Sequence, residues 1–185
     1  MVAAGFADME PAEVEIWLQQ DTRNLSLAVQ SVIQARAAFD EQKIAALGRA
    51  FRAGVTDAAK VDESLLVVLA LGTLERPHID VLHVIALEEP PWRSRYYNPT
   101  SEEDPSPAPI PDNPAEVVDS EGDPRYERSW TNDGLTKRLP HLAQAIPWLE
   151  QTLRTNGITE RNFIGGTLNV STLGQLCVDY LRAIP

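Results

Sequence analysis

Leu135–Gly174, LTKRLPHLAQAIPWLEQTLRTNGITERNFIGGTLNVSTLG, is the stretch whose reading decides the fold. Leu135 and Leu139 share one face of a short helix, Leu142 fits a turn, and Ile146, Leu149 and Leu153 repeat at the spacing of a second helix. Asn156-Gly157 stops that helix, because Gly157 can take the left-handed conformation favoured just past a helix C-terminus. Ile158 opens an extended segment that passes through Phe163-Ile164-Gly165-Gly166-Thr167-Leu168, which reads as a two-strand hairpin. Val170-Ser171-Thr172-Leu173-Gly174 then enters a closing helix carrying Leu176, Cys177, Tyr180 and Leu181, with Ser171 or Thr172 as its N-cap.

This order of pieces resembles the winged helix-turn-helix domain of bacterial regulators, over about the final third of the chain. The resemblance implies a recognition helix, a β-hairpin wing and a last helix entered through Thr-Leu-Gly. Pro147 departs from the pattern, since proline inside a helix removes a backbone donor unless it falls in the first turn. The recognition helix is therefore expected to begin late, near Pro147-Trp148, with His141 to Ile146 forming a separate turn.

Upstream, the chain reads as almost entirely helical. Val14, Leu18, Leu25, Val32 and Phe39, joined by Trp17, Val29 and Ile33, mark a broken stripe that predicts one long helix starting near Pro11. Such a helix either packs along the whole domain or pairs with another copy of the chain. Asp40 is expected to cap the next helix, in which Ile44, Leu47 and Phe51 share a face and Gly54 is the stop. Asp62 precedes a helix from Leu65 to Leu74, and Pro77 begins another carrying Ile79, Leu82, Val84 and Ile85. The fold class is thus mainly α: an N-terminal helical region over 10–76, then a winged-helix-like domain over 77–185 with a small hairpin.

Within that second region, 88–124 changes character. Pro90, Pro91, Pro99, Pro105, Pro107, Pro109, Pro111, Pro114 and Pro124 oppose regular helix, and acids greatly outnumber Arg93 and Arg95. Few apolar residues remain to offset the entropy of ordering, so a largely irregular acidic insertion is expected, with Trp92, Tyr96 and Tyr97 as possible anchors at its start.

Composition narrows function further. A net charge of −11 argues against nonspecific attraction to nucleic acid or an anionic membrane as the role of the whole molecule. The longest apolar run, Leu65–Leu71, is far short of the roughly 20 residues that span a bilayer, and Met1–Phe6 lacks the pattern of an export signal. The single cysteine, Cys177, sits among apolar positions and reads as a small buried hydrophobe in a cytoplasmic protein.

Candidate contacts to a partner or to DNA are Lys137, Arg138, Gln144, Trp148, Gln151, Arg154 and Arg161. Gln144, Trp148, Gln151 and Thr152 are expected to face outward from the recognition helix, and none is a cation. Gln144 and Gln151 are competent to read adenine, and the four cations to meet phosphates. As scattered basic residues on a polar face, those cations equally suit simple solubility, and Trp148 reads as core more readily than as an anchor.

His78 and His83 lie five residues apart and His141 is in another segment, so no metal site is expected. Glu88-Glu89 and Glu102-Glu103 are adjacent solvated acids, and Gly165-Gly166 lacks the lysine and helix of a phosphate loop. No catalytic residue and no cofactor is expected. The reading is a non-enzymatic regulatory or scaffolding protein that works through protein contacts, including self-association through the N-terminal helix; the alternative is a DNA-binding transcriptional regulator.

Overall fold

The computed structural model describes residues 10–94, 112, 126–161 and 167–182. These residues are mainly helical, with a small antiparallel strand pair near the C-terminus. The helices are α1 (Pro11–Gln20), α2 (Thr22–Ala37), α3 (Glu41–Thr56), α4 (Val61–Thr73), α5 (Arg76–Leu87), α6 (Asn132–Arg138), α7 (Ile146–Thr155) and α8 (Thr172–Arg182). Short 3-10 turns at Ala58–Lys60 and Pro140–Leu142 precede α4 and follow α6.

The single long N-terminal helix expected from the apolar stripe is two helices. Asp21 breaks it: its backbone is extended, and its carboxylate accepts from the Arg23 amide at 2.9 Å, capping α2. A side chain that satisfies a helix-start donor competes with continuation of the helix before it. Asn24 then donates to the Trp17 carbonyl at 2.7 Å, supplying a partner to the last turn of α1. Phe39, expected to end the stripe, lies beyond α2 and is 95% exposed.

Asp40 caps α3 by accepting from the Lys43 amide at 2.9 Å, as its position in the sequence suggests. Gly54 does not end this helix, which continues to Thr56. Instead Gly54 is buried where helices cross, and a Cβ there would overlap the fully buried Leu27 side chain of α2. Lys43 is also buried. Its ammonium donates to the carbonyls of Gly72 at 3.0 Å and Leu74 at 2.5 Å, closing the C-terminal end of α4.

One apolar core runs through these helices, from Trp17, which meets Phe51 edge to face, to Leu181 in α8. Burial of a side chain as large as Phe51 stabilises by about 2–3 kcal/mol, so the fully buried Leu27, Leu47, Phe51, Leu71 and Leu82 dominate the packing. The last helix, α8, packs on α3, α4 and α5, which joins the C-terminal segment to the N-terminal layer.

After α5 the chain forms β1 (Trp92–Ser94), which pairs antiparallel with β2 (Tyr126–Arg128). A short ladder therefore joins β1, near the start of the 88–124 insertion, to β2 just beyond its end. Tyr96, Tyr97 and nearly all of the acidic run lie outside the described residues. Trp130 next makes an isolated antiparallel bridge to Leu168. β3 (Thr159–Arg161) pairs with β4 (Leu168–Val170), with Thr159 opposite Val170. The connecting residues Phe163, Ile164, Gly165 and Gly166 lie outside the described residues.

Candidate partner-binding surface

Two caps fix the segment that carries the candidate residues. Thr131 Oγ1 accepts from the Gly134 amide at 3.2 Å and starts α6. Pro140 opens the 3-10 turn, and α7 begins at Ile146, which puts Pro147 in the first turn, where its missing donor breaks no helical bond. At the other end of α7, Gly157 has φ +68°, with its amide donating to Arg154 O and that of Ile158 to Leu153 O, both at 2.9 Å. These bonds occupy otherwise orphaned carbonyls and turn the chain sharply into β3.

Ser171 completes the frame. Its hydroxyl accepts from the Gly174 amide at 3.0 Å, capping α8, while donating to the Gly157 carbonyl at 2.5 Å. Hence the end of α7 and the start of α8 are held by one side chain.

α7 is strongly two-sided. Ile146, Leu149, Glu150 and Leu153 are buried, whereas Pro147, Trp148, Gln151, Arg154 and Thr155 are exposed along the opposite face. Gln144 is exposed just before the helix. Thr152, expected to face outward, is half-buried and donates its hydroxyl back to the Trp148 carbonyl at 3.0 Å. Trp148 corrects the sequence reading more sharply. It is not core but 73% exposed, because Ile146, Leu149 and Leu153 turn the other side of α7 to the core.

Lys137, Arg138 and Arg154 are each paired with an acid. Lys137 meets Asp133 at 2.7 Å within α6, Arg138 holds both carboxylate oxygens of Glu88, and Arg154 lies 3.7 Å from the buried Glu150. The Glu88 carboxylate beside Arg138 raises the guanidinium pKa further. Arg161 is exposed at the end of β3, opposite Leu168. An incoming phosphate would have to compete with Asp133, Glu88 and Glu150 for these groups.

The remaining chemistry is sparse. Burial lowers the pKa of both His78 and His83, and among the described residues no group of three or more His, Cys, Asp or Glu side chains converges on a metal-sized space. Cys177 is fully buried, and burial pushes its thiol up to about 12, so it holds its proton at neutral pH. Among the described residues no helix is long and apolar enough to cross a membrane.

A second exposed feature was only half legible in the sequence. Leu25, Val29, Val32 and Ile33 form an exposed stripe on α2, while Leu27, Ala28 and Ser31 of the same helix face the core. Leu18, counted in the same stripe, is half-buried against the core. Comparison of the chain with family models, curated proteins and solved structures returned no match.

Proposed function

We propose that this chain is a non-enzymatic regulatory or scaffolding protein that works through protein contacts on a winged-helix-like scaffold. The scaffold reading is supported by the order of elements: α5, the Trp130 bridge, α6, the turn, α7, the β3–β4 pair and α8. The observation that carries the functional reading is Trp148. A tryptophan 73% exposed on a helix that offers few unengaged cations has the character of an interface anchor, because a partner that covers it removes a large apolar surface from water. Gln144, Gln151 and Arg154 supply the polar rim around it.

The exposed stripe Leu25, Val29, Val32 and Ile33 supports self-association through α2, the surviving part of the expected long helix. The buried, unpaired Cys177 suits a reducing cytoplasm. The rival reading, a DNA-binding transcriptional regulator, is favoured by one observation, the exposed amides of Gln144 and Gln151 at and before α7. Replacing Trp148 with a photoreactive residue and cross-linking in cells separates the two. A discrete protein adduct is expected, lost when Gln151 is changed to Glu; a nucleic-acid adduct would decide for the regulator.

A further inference from the structure

The exposed side of α2 has the pattern of a helix–helix seam. Leu25, Val29, Val32 and Arg36 follow one another at intervals of four, three and four residues, the spacing at which one helix meets another along a line. All four are exposed, Leu25 to 50% and Val29 to 45%, and Ile33 broadens the seam. α4 runs beside α2 in the same direction. Arg23 Nη1 donates to Asp62 Oδ2 at 2.9 Å near the starts of the two helices, and a Cβ on Gly72 would overlap the Gln34 side chain near their ends. Asp62, Leu66 and Leu69 repeat the four-three spacing on α4, and each is exposed.

That seam carries opposite charge at its two ends. Asp21 and Asp62 lie at the N-terminal end, where Arg23 offsets one of them and leaves a net negative charge. Arg36 closes the C-terminal end, about 20 Å away along the helix and beyond reach of those acids within one chain. The spacing also reads the same in both directions. Laid antiparallel, two copies of α2 set Leu25 opposite Arg36 and Val29 opposite Val32, and each Arg36 arrives one turn from Asp21 of the other copy. Laid parallel, the same seam would put Arg36 against Arg36, a like-charge contact that opposes association.

We propose that a second copy of this chain covers the α2 face in a two-fold antiparallel arrangement, α2 along α2, with Arg36 of each copy meeting Asp21 and Asp62 of the other. The arrangement rests on self-association through α2 and adds its direction and its charge contacts. Because both copies use the same patch, the contact closes after two copies. Leu66 and Leu69 extend the apolar part of that patch onto α4.

The test uses the full chain with a nitroxide on Ala37→Cys, an exposed position at the end of α2 and off the seam. Cys177 is fully buried and its thiol holds its proton, so only the new cysteine takes the label. In the antiparallel arrangement Ala37 aligns with Asn24 of the other copy, and dipolar electron resonance is expected to read about 20 Å or more between the two labels. A parallel pair would bring them to about 10 Å, the spacing of packed helix axes. Arg36→Glu sets acid against acid twice in the dimer and is expected to weaken association about tenfold or more in sedimentation equilibrium. Adding Asp62→Lys to the same chain is expected to recover most of that loss. Both side chains are exposed, and an unchanged circular dichroism spectrum checks that the variants fold. A dimer with its labels about 10 Å apart, or one indifferent to Arg36→Glu, would overturn the antiparallel contact and leave self-association through α2 standing. A parent chain that sediments as a monomer would overturn both.

Discussion

Arg49 on α3 donates from Nε at 2.9 Å and Nη2 at 2.5 Å to the backbone carbonyl of Tyr180 on α8, across 131 positions of sequence. Gln42, seven residues earlier on α3, donates to the neighbouring Leu181 carbonyl at 3.2 Å. The orphaned carbonyls of the last helix are thus satisfied by side chains of the N-terminal layer. This ties the hairpin and α7, which lean on α8 through Ser171, to the helices that precede them.

Replacing Arg49 with Met keeps the aliphatic stem and removes the donors. Such charge-assisted bonds contribute about 1.5–3 kcal/mol, and a loss of that size is expected in urea unfolding. Amide exchange in Thr172–Arg182 is expected to accelerate selectively. Unchanged protection of that helix would mean that apolar packing alone fixes it.

Gly174 makes a second fixed contact. A Cβ there would collide with the backbone carbonyl of Ile158, and backbone cannot swing aside as a side-chain tip can. Gly174→Ala is therefore expected to cost about 2 kcal/mol or more, within the range for overpacking a core. Gly157→Ala has open space around it but must adopt φ +68°, so it is expected to cost about 1–2 kcal/mol. Thermal unfolding of the two variants checks the order, and a neutral Gly174→Ala would show that α8 shifts freely from β3.

How far the sequence could be read follows from the range over which each interaction acts. Gly157 and Ser171 were legible because a turn and a cap are written within a few residues of themselves. Asp21 is a residue type that starts helices, but the apolar stripe continues through it, so periodicity alone does not show the break. Trp130 could not be recognised as a bridge, since one residue shows no period. Spacing puts Trp148 off the Ile146, Leu149 and Leu153 face while its size favours the core, and only the packed helix decides between them. Arg49 and Tyr180 carry no local sign of each other at all.

Acid is expected to weaken the fold through His78 and His83. Burial lowers both pKa values below 6.5, and His78 Nδ1 accepts from the Glu75 amide at 3.1 Å, which requires that nitrogen to be unprotonated. Because the unfolded chain takes up the protons first, the stabilisation is complete above pH 6.5 and is lost as pH falls through that value toward the folded pKa values. Urea midpoints from pH 7.5 to 5.5 are expected to fall for the parent and to fall less for His78→Gln with His83→Gln. An identical slope in both proteins would place the sensitivity elsewhere.

Self-association through α2 predicts a solution mass above that of the monomer, reduced to a folded monomer by Leu25→Glu with Ile33→Arg. Both side chains are about half exposed, so their exchange is expected to leave the circular dichroism spectrum unchanged. Sedimentation equilibrium checks this. A parent chain that remains monomeric at high concentration would show that the stripe has no partner in a second copy.

The most direct test of protein contact over DNA recognition is titration of the chain against random and genomic duplexes across a range of salt. With Lys137, Arg138 and Arg154 each held by an acid, few counterions are released on binding, and no complex tighter than about micromolar is expected at physiological salt. A nanomolar complex with one sequence at physiological salt, weakened by charge reversal at Arg154 or Arg161, would contradict the account and establish a DNA reader.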